Sequence, residues 1–324
     1  MKGSTQYHRA AQLVLGSWLA ACSLGEGHPR RDGHPRGEGH SSDAGRSRGE
    51  ERSRDDGQPT SPAPPDAPEA PTRASEAPTR TSDAPPGAAT SAGERRSDAL
   101  PPLAGVWREP LSDARGDVGF VAVPIGTTTK RPLVVALHAA LDHPSMTCSE
   151  WRAMFGPEPF IVCPYGERLN ATSYVWGDPA KLRASIDRAV AAAEARFPQR
   201  IERAGAVWAS YSQSGILSAD ALAKPGMEFR YALLFEGVPR DLRPLRSAFV
   251  RAGIRRVLIV NQQGGWSRAH LAAAKSLAPA IEAKHLVFGD GSFGHFMRGD
   301  TFERMHQELP WLVAGDPVWD ILRP

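Results

Sequence analysis

Residues 204–215, Ala204-Gly205-Ala206-Val207-Trp208-Ala209-Ser210-Tyr211-Ser212-Gln213-Ser214-Gly215, pass from a small and apolar run into a hydroxyl-rich segment, and then into helical spacing from Gly215 to Ala223. An apolar run of this length without alternation reads as a strand buried on both faces. The segment is therefore buried strand, sharp turn, helix. Ser212 stands at the turn, and the residues two positions to either side, Ser210 and Ser214, are small, as a sharp strained turn requires. Such a turn aims the Ser212 hydroxyl at the start of the helix, where the dipole and free N–H groups favour an oxyanion. The competing reading is a serine-rich loop in which Ser212 or Ser214 only caps the helix.

Working outward, the same alternation recurs. Strands are predicted over Gly119–Val123, Leu133–Leu137, Phe160–Cys163, Tyr231–Phe235, Arg256–Val260 and His285–Phe288. Helices are predicted over Lys181–Phe197, with Leu182, Ile186, Ala189, Val190 and Ala193 on the apolar face, and over Ser267–Ala283 and Phe302–Val313. Pro198 stops the first of these. Strands alternating with helices of this length predict an α/β fold: a doubly wound, mostly parallel sheet with helices on both faces. Trp151, Trp176 and Trp208 would line a substrate cleft or, more commonly for tryptophan, sit in the core.

Residues 103–324 carry this pattern, and residues before it do not. From about Gly25 to Leu100 large apolar side chains are nearly absent and Pro, Gly, Ser, Arg, Asp and Glu dominate, with Gly27-His28-Pro29-Arg30 echoed at 33–36 and Glu69-Ala70-Pro71-Thr72-Arg73 echoed at 76–80. Such a composition cannot bury enough apolar surface to offset the entropy of ordering, so residues 23–102 are expected to be a disordered linker. Its reach lies between roughly 50 Å as a coil and roughly 250 Å as polyproline. His28, His34 and His40 are regularly spaced, but nothing in the linker would fix a metal geometry, and no metal site is expected.

The first residues read as a signal segment. Lys2, His8 and Arg9 precede an apolar stretch, Ala10 to Ala21, that is too short for a stable membrane-spanning helix. It ends in Leu19-Ala20-Ala21-Cys22, which resembles a bacterial lipobox. The resemblance implies that residues 1–22 direct export, that Cys22 is lipidated and anchors the protein to a membrane, and, since Ser23 follows, that the anchor lies in the outer membrane of a Gram-negative envelope, facing periplasm or exterior. Cleavage at an ordinary secretory Ala-x-Ala site is the alternative. The other cysteines are Cys148, in the loop after one predicted strand, and Cys163, near the end of the next. Export permits a disulfide between them, closing a loop of roughly 15 residues for about 3 kcal/mol; two separate buried thiols are the alternative. The formal net charge is +3, with no basic stripe interleaved with aromatics, so nucleic-acid binding is not expected.

Within the globular part, the Ser212 turn, the run Leu133–Leu137 leading into His138-Ala139-Ala140, and Gly294-His295 after the last predicted strand together resemble the α/β-hydrolase superfamily. Cys148, Trp151, Cys163-Pro164 and Ser212-Gln213 further resemble exported esterases of the polyhydroxybutyrate depolymerase and feruloyl esterase type, or dienelactone-hydrolase-like carboxylesterases. The resemblance spans about Asp117 to Leu312. It implies ester hydrolysis through an acyl-enzyme without metal or organic cofactor. The expected partner is a small-molecule or polymeric ester, and the protein is expected to be a monomer. Ser212 would be the nucleophile, His295 the general base, and the N–H groups of Gln213 and of Ala139 or Ala140 the oxyanion hole. His138 would shape the loop.

The sequence departs from the family at the acid. The loop after Arg256–Val260 is Asn261-Gln262-Gln263-Gly264-Gly265-Trp266, without a carboxylate. Some members place the acid after the preceding strand, where Glu236 follows Phe235, with Asp241 a few residues on and Asp290 closer in sequence to His295. Glu236 is the expected acid and Asp241 the alternative; Asn261 or Gln262 would orient a neutral histidine at a large cost in rate. This departure, Ala139 in place of glycine, and serines flanking the turn leave open a second function: a ligand- or partner-binding envelope lipoprotein built on an impaired hydrolase.

Overall fold

A computed structural model describes residues 100–322 apart from 227, 240, 263, 289–296 and 298. The chain divides into two units, residues 1–95 and 96–324, and every described residue falls in the second. The signal segment, Cys22 and residues 23–99 of the linker lie outside the described residues. Among the described residues no helix is long and apolar enough to cross a membrane.

The strands are β1 (Arg108–Asp113), β2 (Gly116–Ala122), β3 (Arg131–Leu137), β4 (Phe160–Pro164), β5 (Glu167–Arg168), β6 (Tyr174–Val175), β7 (Ile201–Tyr211), β8 (Tyr231–Phe235), β9 (Arg256–Asn261) and β10 (Glu282–Val287). The helices are α1 (Pro144–Phe155), α2 (Pro179–Arg196), α3 (Gln213–Leu222), α4 (Arg243–Arg251), α5 (Gly264–Leu277) and α6 (Gly299–Leu312), with a short 3₁₀ turn at Pro317–Leu322.

Eight strands form one sheet in the order β1-β2-β4-β3-β7-β8-β9-β10, while β5 and β6 pair separately. The β1–β2 and β2–β4 pairings are antiparallel and all others in the large sheet are parallel. Alternate side chains of the central strands feed two cores. Leu133, Val135, Leu137, Ala206 and Trp208 pack against α2, α3, α4 and α5. Val134, Ala136, Val207, Ala209 and Tyr211 pack against α1, α6 and Trp319. Helices therefore cover both faces, which is why β3, β4, β8 and β9 are apolar at nearly every position. This is an α/β-hydrolase fold, as the sequence predicts.

Several boundaries differ from the sequence expectation. Cys148 lies inside α1, not in a loop. His143 caps that helix through its ring, which accepts the Ser145 N–H, and Pro144 follows at a first-turn position where it costs no hydrogen bond. α2 begins at Pro179, two residues early, because the Asp178 carboxylate accepts the N–H groups of Ala180 and Lys181. α5 ends at Leu277 rather than Ala283, since Pro279 cannot continue it. β10 then begins at Glu282, opposite Arg256. β1, α1, β5, β6 and α4 are not among the expected elements.

Candidate active site

The site grows from the place where the sheet order reverses. β3 connects to β4 on one side and the chain then returns to place β7 on the other, so a crevice opens at the carboxyl ends of β3 and β7, where open α/β sheets bind ligands. Ser212 follows β7 and His138-Ala139-Ala140 follows β3, so the two loops face one another across it.

Ser212 has φ 56° and ψ −116°, a left-handed conformation in a residue with a Cβ. It is 1% exposed. Positive φ in a non-glycine residue costs free energy and persists only where the surroundings over-determine it. Here they do so in three ways. The Ser212 N–H donates to the Phe235 carbonyl at 2.8 Å, extending the β7–β8 ladder one residue past Tyr211. The Ser214 hydroxyl holds both backbone groups of Tyr211, accepting its N–H at 3.0 Å and donating to its carbonyl at 2.8 Å. Gly215 and Gly237 let two backbones touch: a Cβ on Gly237 would meet the Ser212 carbonyl oxygen at 2.0 Å, and one on Gly215 the Gly237 oxygen at 2.1 Å. Serines at 210 and 214 therefore fit, both fully buried. Ser212 makes no capping hydrogen bond to α3, so its side chain is not a helix cap.

The Ile216 N–H reaches back to the Ser212 carbonyl at 3.2 Å, the first bond of α3. The N–H groups of Gln213, Ser214 and Gly215 come before that bond and have no intrahelical acceptor. In the facing loop the N–H groups of Leu141 and Asp142 are taken by the carbonyls of Tyr174 and Ala139, while those of Ala139 and Ala140 meet no acceptor among the described residues. Ala139 does not require glycine's freedom; in this loop the positive φ, 71°, falls on Leu141.

The two loops are tied together by side chains. The Gln213 amide brackets the Trp176 backbone, accepting its N–H at 2.9 Å and donating to its carbonyl at 3.2 Å. The Trp176 indole N–H donates to the His138 carbonyl at 2.8 Å, and its ring stacks on the His138 imidazole at 4.3 Å. His138 accepts the Gly166 N–H at Nε2, 3.2 Å, and therefore donates from Nδ1 to the Ala139 carbonyl at 2.6 Å. Burial drives its pKa down to about 4, so it stays neutral. His138 shapes the loop and is not placed as an acid or base. Trp176 belongs to this brace, whereas Trp151 and Trp208 are core residues, the latter donating to the Ser218 hydroxyl at 2.6 Å.

Glu236 occupies the position after β8 that matches Ser212 after β7. Its N–H donates to the Val260 carbonyl at 2.9 Å, its φ is 52°, and it is 1% exposed. One carboxylate oxygen accepts the Gln262 N–H. The other acid candidates differ. Asp241 is exposed and clasped by Arg243 at 2.8 Å, which holds its carboxyl below the usual range. Asn261 and Gln262 are engaged elsewhere: the Asn261 amide oxygen meets His285 Nε2 at 2.6 Å, and the Gln262 amide donates to Thr301. His295 and Asp290 lie outside the described residues; the chain enters that segment from Phe288, whose N–H donates to the Asn261 carbonyl at 2.8 Å on this same edge.

Acidity is concentrated nearby. Tyr211, beside the nucleophile candidate, has its hydroxyl pushed up by burial and then by the charges of Asp142, Glu150 and Glu236. Glu150 is raised to about 7 by burial and by Asp142. Cys148 and Cys163 form a disulfide that fastens α1 to β4. Among the described residues no group of three or more His, Cys, Asp and Glu side chains could hold a metal ion. The Gln213 amide, Trp176, Gly237 and the Asp142–Glu150 pair carry no sequence motif; a glycine directly after the strand-end Glu236 was the one local signal.

No known family matches the sequence, and no curated protein does. Solved structures with a similar course include an uncharacterized protein from Bacillus cereus, at 10% identity over 57% of this chain and 59% of that one, TM-score 0.48. A carboxylesterase from Mesorhizobium loti is similar at 17% identity over 63% and 99%, TM-score 0.45. Acyl-protein thioesterase 2 from Zea mays is similar at 15% identity over 60% and 97%, TM-score 0.44.

Proposed function

We propose that this protein is a serine hydrolase of carboxylic esters, carried at the cell envelope on a lipid attached to Cys22. The observation that carries the reading is the conformation of Ser212: a buried serine held at positive φ between a core strand and a helix N-terminus, with the Glu236 carboxylate at the end of the next strand. Strained conformations of this kind cluster at active sites.

In this reading the Ser212 oxygen attacks the ester carbonyl carbon while His295 takes its proton. The tetrahedral oxyanion is held by the N–H groups of Gln213 and of Ala139 or Ala140. Collapse breaks the bond to the alkoxy oxygen, which leaves with the proton from His295, and an acyl-Ser212 ester forms. Water, deprotonated by His295, then releases the carboxylic acid and restores the serine. Glu236 orients His295 and stabilises its protonated form. The Gln213–Trp176–His138 brace fixes the two oxyanion loops, so their N–H groups need no reorganisation during the reaction.

The test is labelling of the full chain with a fluorophosphonate probe and mapping of the modified peptide. Label on Ser212, absent from a folded Ser212→Ala variant, is the expected result. An unlabelled, folded wild-type protein overturns the hydrolase reading and leaves the cleft as a ligand-binding site. Anchoring is tested separately, by the mass of the N-terminal peptide and its change in Cys22→Ser.

A further inference from the structure

A hollow of about 580 Å³ lies at the opposite edge of the sheet from Ser212, lined by Gly105, Val106, Trp107, Arg108, Ile125 and Arg152. Its place follows from the strand register. β2 runs antiparallel to β4 with Ala122 opposite Ile161, so Val123 comes where the parallel strands begin, and its N–H donates to the Trp107 carbonyl at 2.7 Å. The guanidinium carbons of Arg108 and Arg152 stand 5.2 and 5.0 Å from the Trp107 ring centroid. Arg108 is anchored by the Ser145 carbonyl and Ser149 hydroxyl, both at 2.9 Å, and Arg152 by the Val123 carbonyl at 3.4 Å.

Among the described residues neither arginine has a carboxylate at ion-pair distance. Glu109, beside Gly105, pairs with Arg196 at 3.2 Å, and Glu158, whose charge reaches Arg152, pairs with Arg131 at 3.4 Å. Each guanidinium thus keeps N–H groups that no described carboxylate takes, and a guanidinium pairs well with a phosphate or carboxylate. The rest of the lining is apolar and uncovered: Val106 is 64% exposed, Ile125 39% and Trp107 37%. These apolar side chains border the two guanidinium groups, and a hollow of this volume is large enough to admit a small ligand.

We propose that this hollow binds an amphiphilic anion, a phosphate or carboxylate joined to an apolar body, with Arg108 and Arg152 on the anionic head and Trp107, Val106 and Ile125 against the apolar part. The site is independent of Ser212, and a ligand held here is not presented to the nucleophile. The same head-group chemistry occurs in a free metabolite and in a membrane lipid, and the two sources are separable.

The test uses the full chain with Cys22→Ser, so that no attached lipid contributes. Dihexanoyl phosphatidic acid below its micelle concentration is titrated by calorimetry. In parallel, flotation is measured with vesicles of phosphatidylcholine alone and with added phosphatidylglycerol. Saturable binding of the soluble probe is expected, weakened about tenfold or more in Arg152→Gln. Val106→Glu, a change at an exposed side chain that leaves the packing intact, should weaken it in the same direction. Additional flotation with the anionic vesicles alone assigns the ligand to a lipid headgroup; binding of the soluble probe without flotation assigns it to a free anion. No saturable binding in any arm, or wild-type affinity in both folded variants, overturns the proposal.

Discussion

Replacing Gly237 by alanine tests the elbow more sharply than removal of the nucleophile, because it leaves every reacting group in place. The added Cβ would lie 2.0 Å from the Ser212 carbonyl oxygen and 2.8 Å from its carbonyl carbon, where ordinary contact begins near 3.4 Å. The two backbones must therefore separate by about 1.4 Å, since neither atom is the end of a flexible side chain. Each is held by a ladder bond, Ser212 to Phe235 and Glu236 to Val260, so the displacement moves Ser212 against its oxyanion donors. A misplacement near 1 Å costs about 100-fold in rate, and overpacking of a tight site about 1–3 kcal/mol. Gly237→Ala should then label with fluorophosphonate about 100-fold more slowly than wild type and melt several degrees lower. Gly177→Ala is the control. Its Cβ would meet Glu167 Oε1 at 1.9 Å, but that is the tip of a half-exposed side chain that can swing aside, so wild-type labelling and melting are expected. Wild-type labelling by a stably folded Gly237→Ala would refute the argument that close backbone approach sets the position of Ser212.

Three further outcomes follow from the same geometry. Glu236→Gln keeps an acceptor for the Gln262 N–H; it should fold but lose ester hydrolysis by about 10²–10⁴-fold in kcat, as expected for loss of the triad acid, and kcat within a few-fold of wild type would remove Glu236 from that role. Replacing both Cys148 and Cys163 by alanine opens a link of 15 residues' separation and should cost about 3 kcal/mol by chemical denaturation; an unchanged denaturation midpoint would show that the bridge contributes nothing to stability. His270 is buried, neither ring nitrogen is hydrogen-bonded among the described residues, and burial lowers its pKa to about 4. The unfolded chain binds that proton at higher pH than the folded one, so wild-type stability falls as pH drops from about 6.5 towards 4. His270→Leu should therefore be neutral or stabilising at pH 8, with a gain that grows towards pH 5; a gain independent of pH would contradict the assignment.

Sequence reading reached the fold because burial on both faces leaves a plain mark. β3, β4, β8 and β9 are short apolar runs, and α2 announces itself with Asp178 and Pro179 at one end and Pro198 beyond the other. The elements it missed, or placed with shifted bounds, are those whose stability comes from neighbours. β1, with the sequence Arg-Glu-Pro-Leu-Ser-Asp, is an edge strand that pairs on one side only and buries just Leu111. α1 mixes Ser, Thr and Cys with its apolar residues, and its buried face is defined only when Cys148, Trp151, Met154 and Phe155 meet the sheet. β10 is half-exposed, and its start is set by pairing with β9 rather than by its own pattern.

At the site the same division holds. The sequence alone determined a serine with small flanking residues between a core strand and a helix, and a strand-end Glu236 one strand away, because both signals are local. Only the tertiary structure decided that Ser212 and Glu236 end adjacent parallel strands at one level, that Asp241 turns away to Arg243, and that the Gln213 amide clasps Trp176. It also decided that Trp107 gathers two arginines from separate elements. These are contacts between residues tens of positions apart, fixed by strand order and register, and no short-range pattern encodes a register that is settled only when both faces of the sheet are packed.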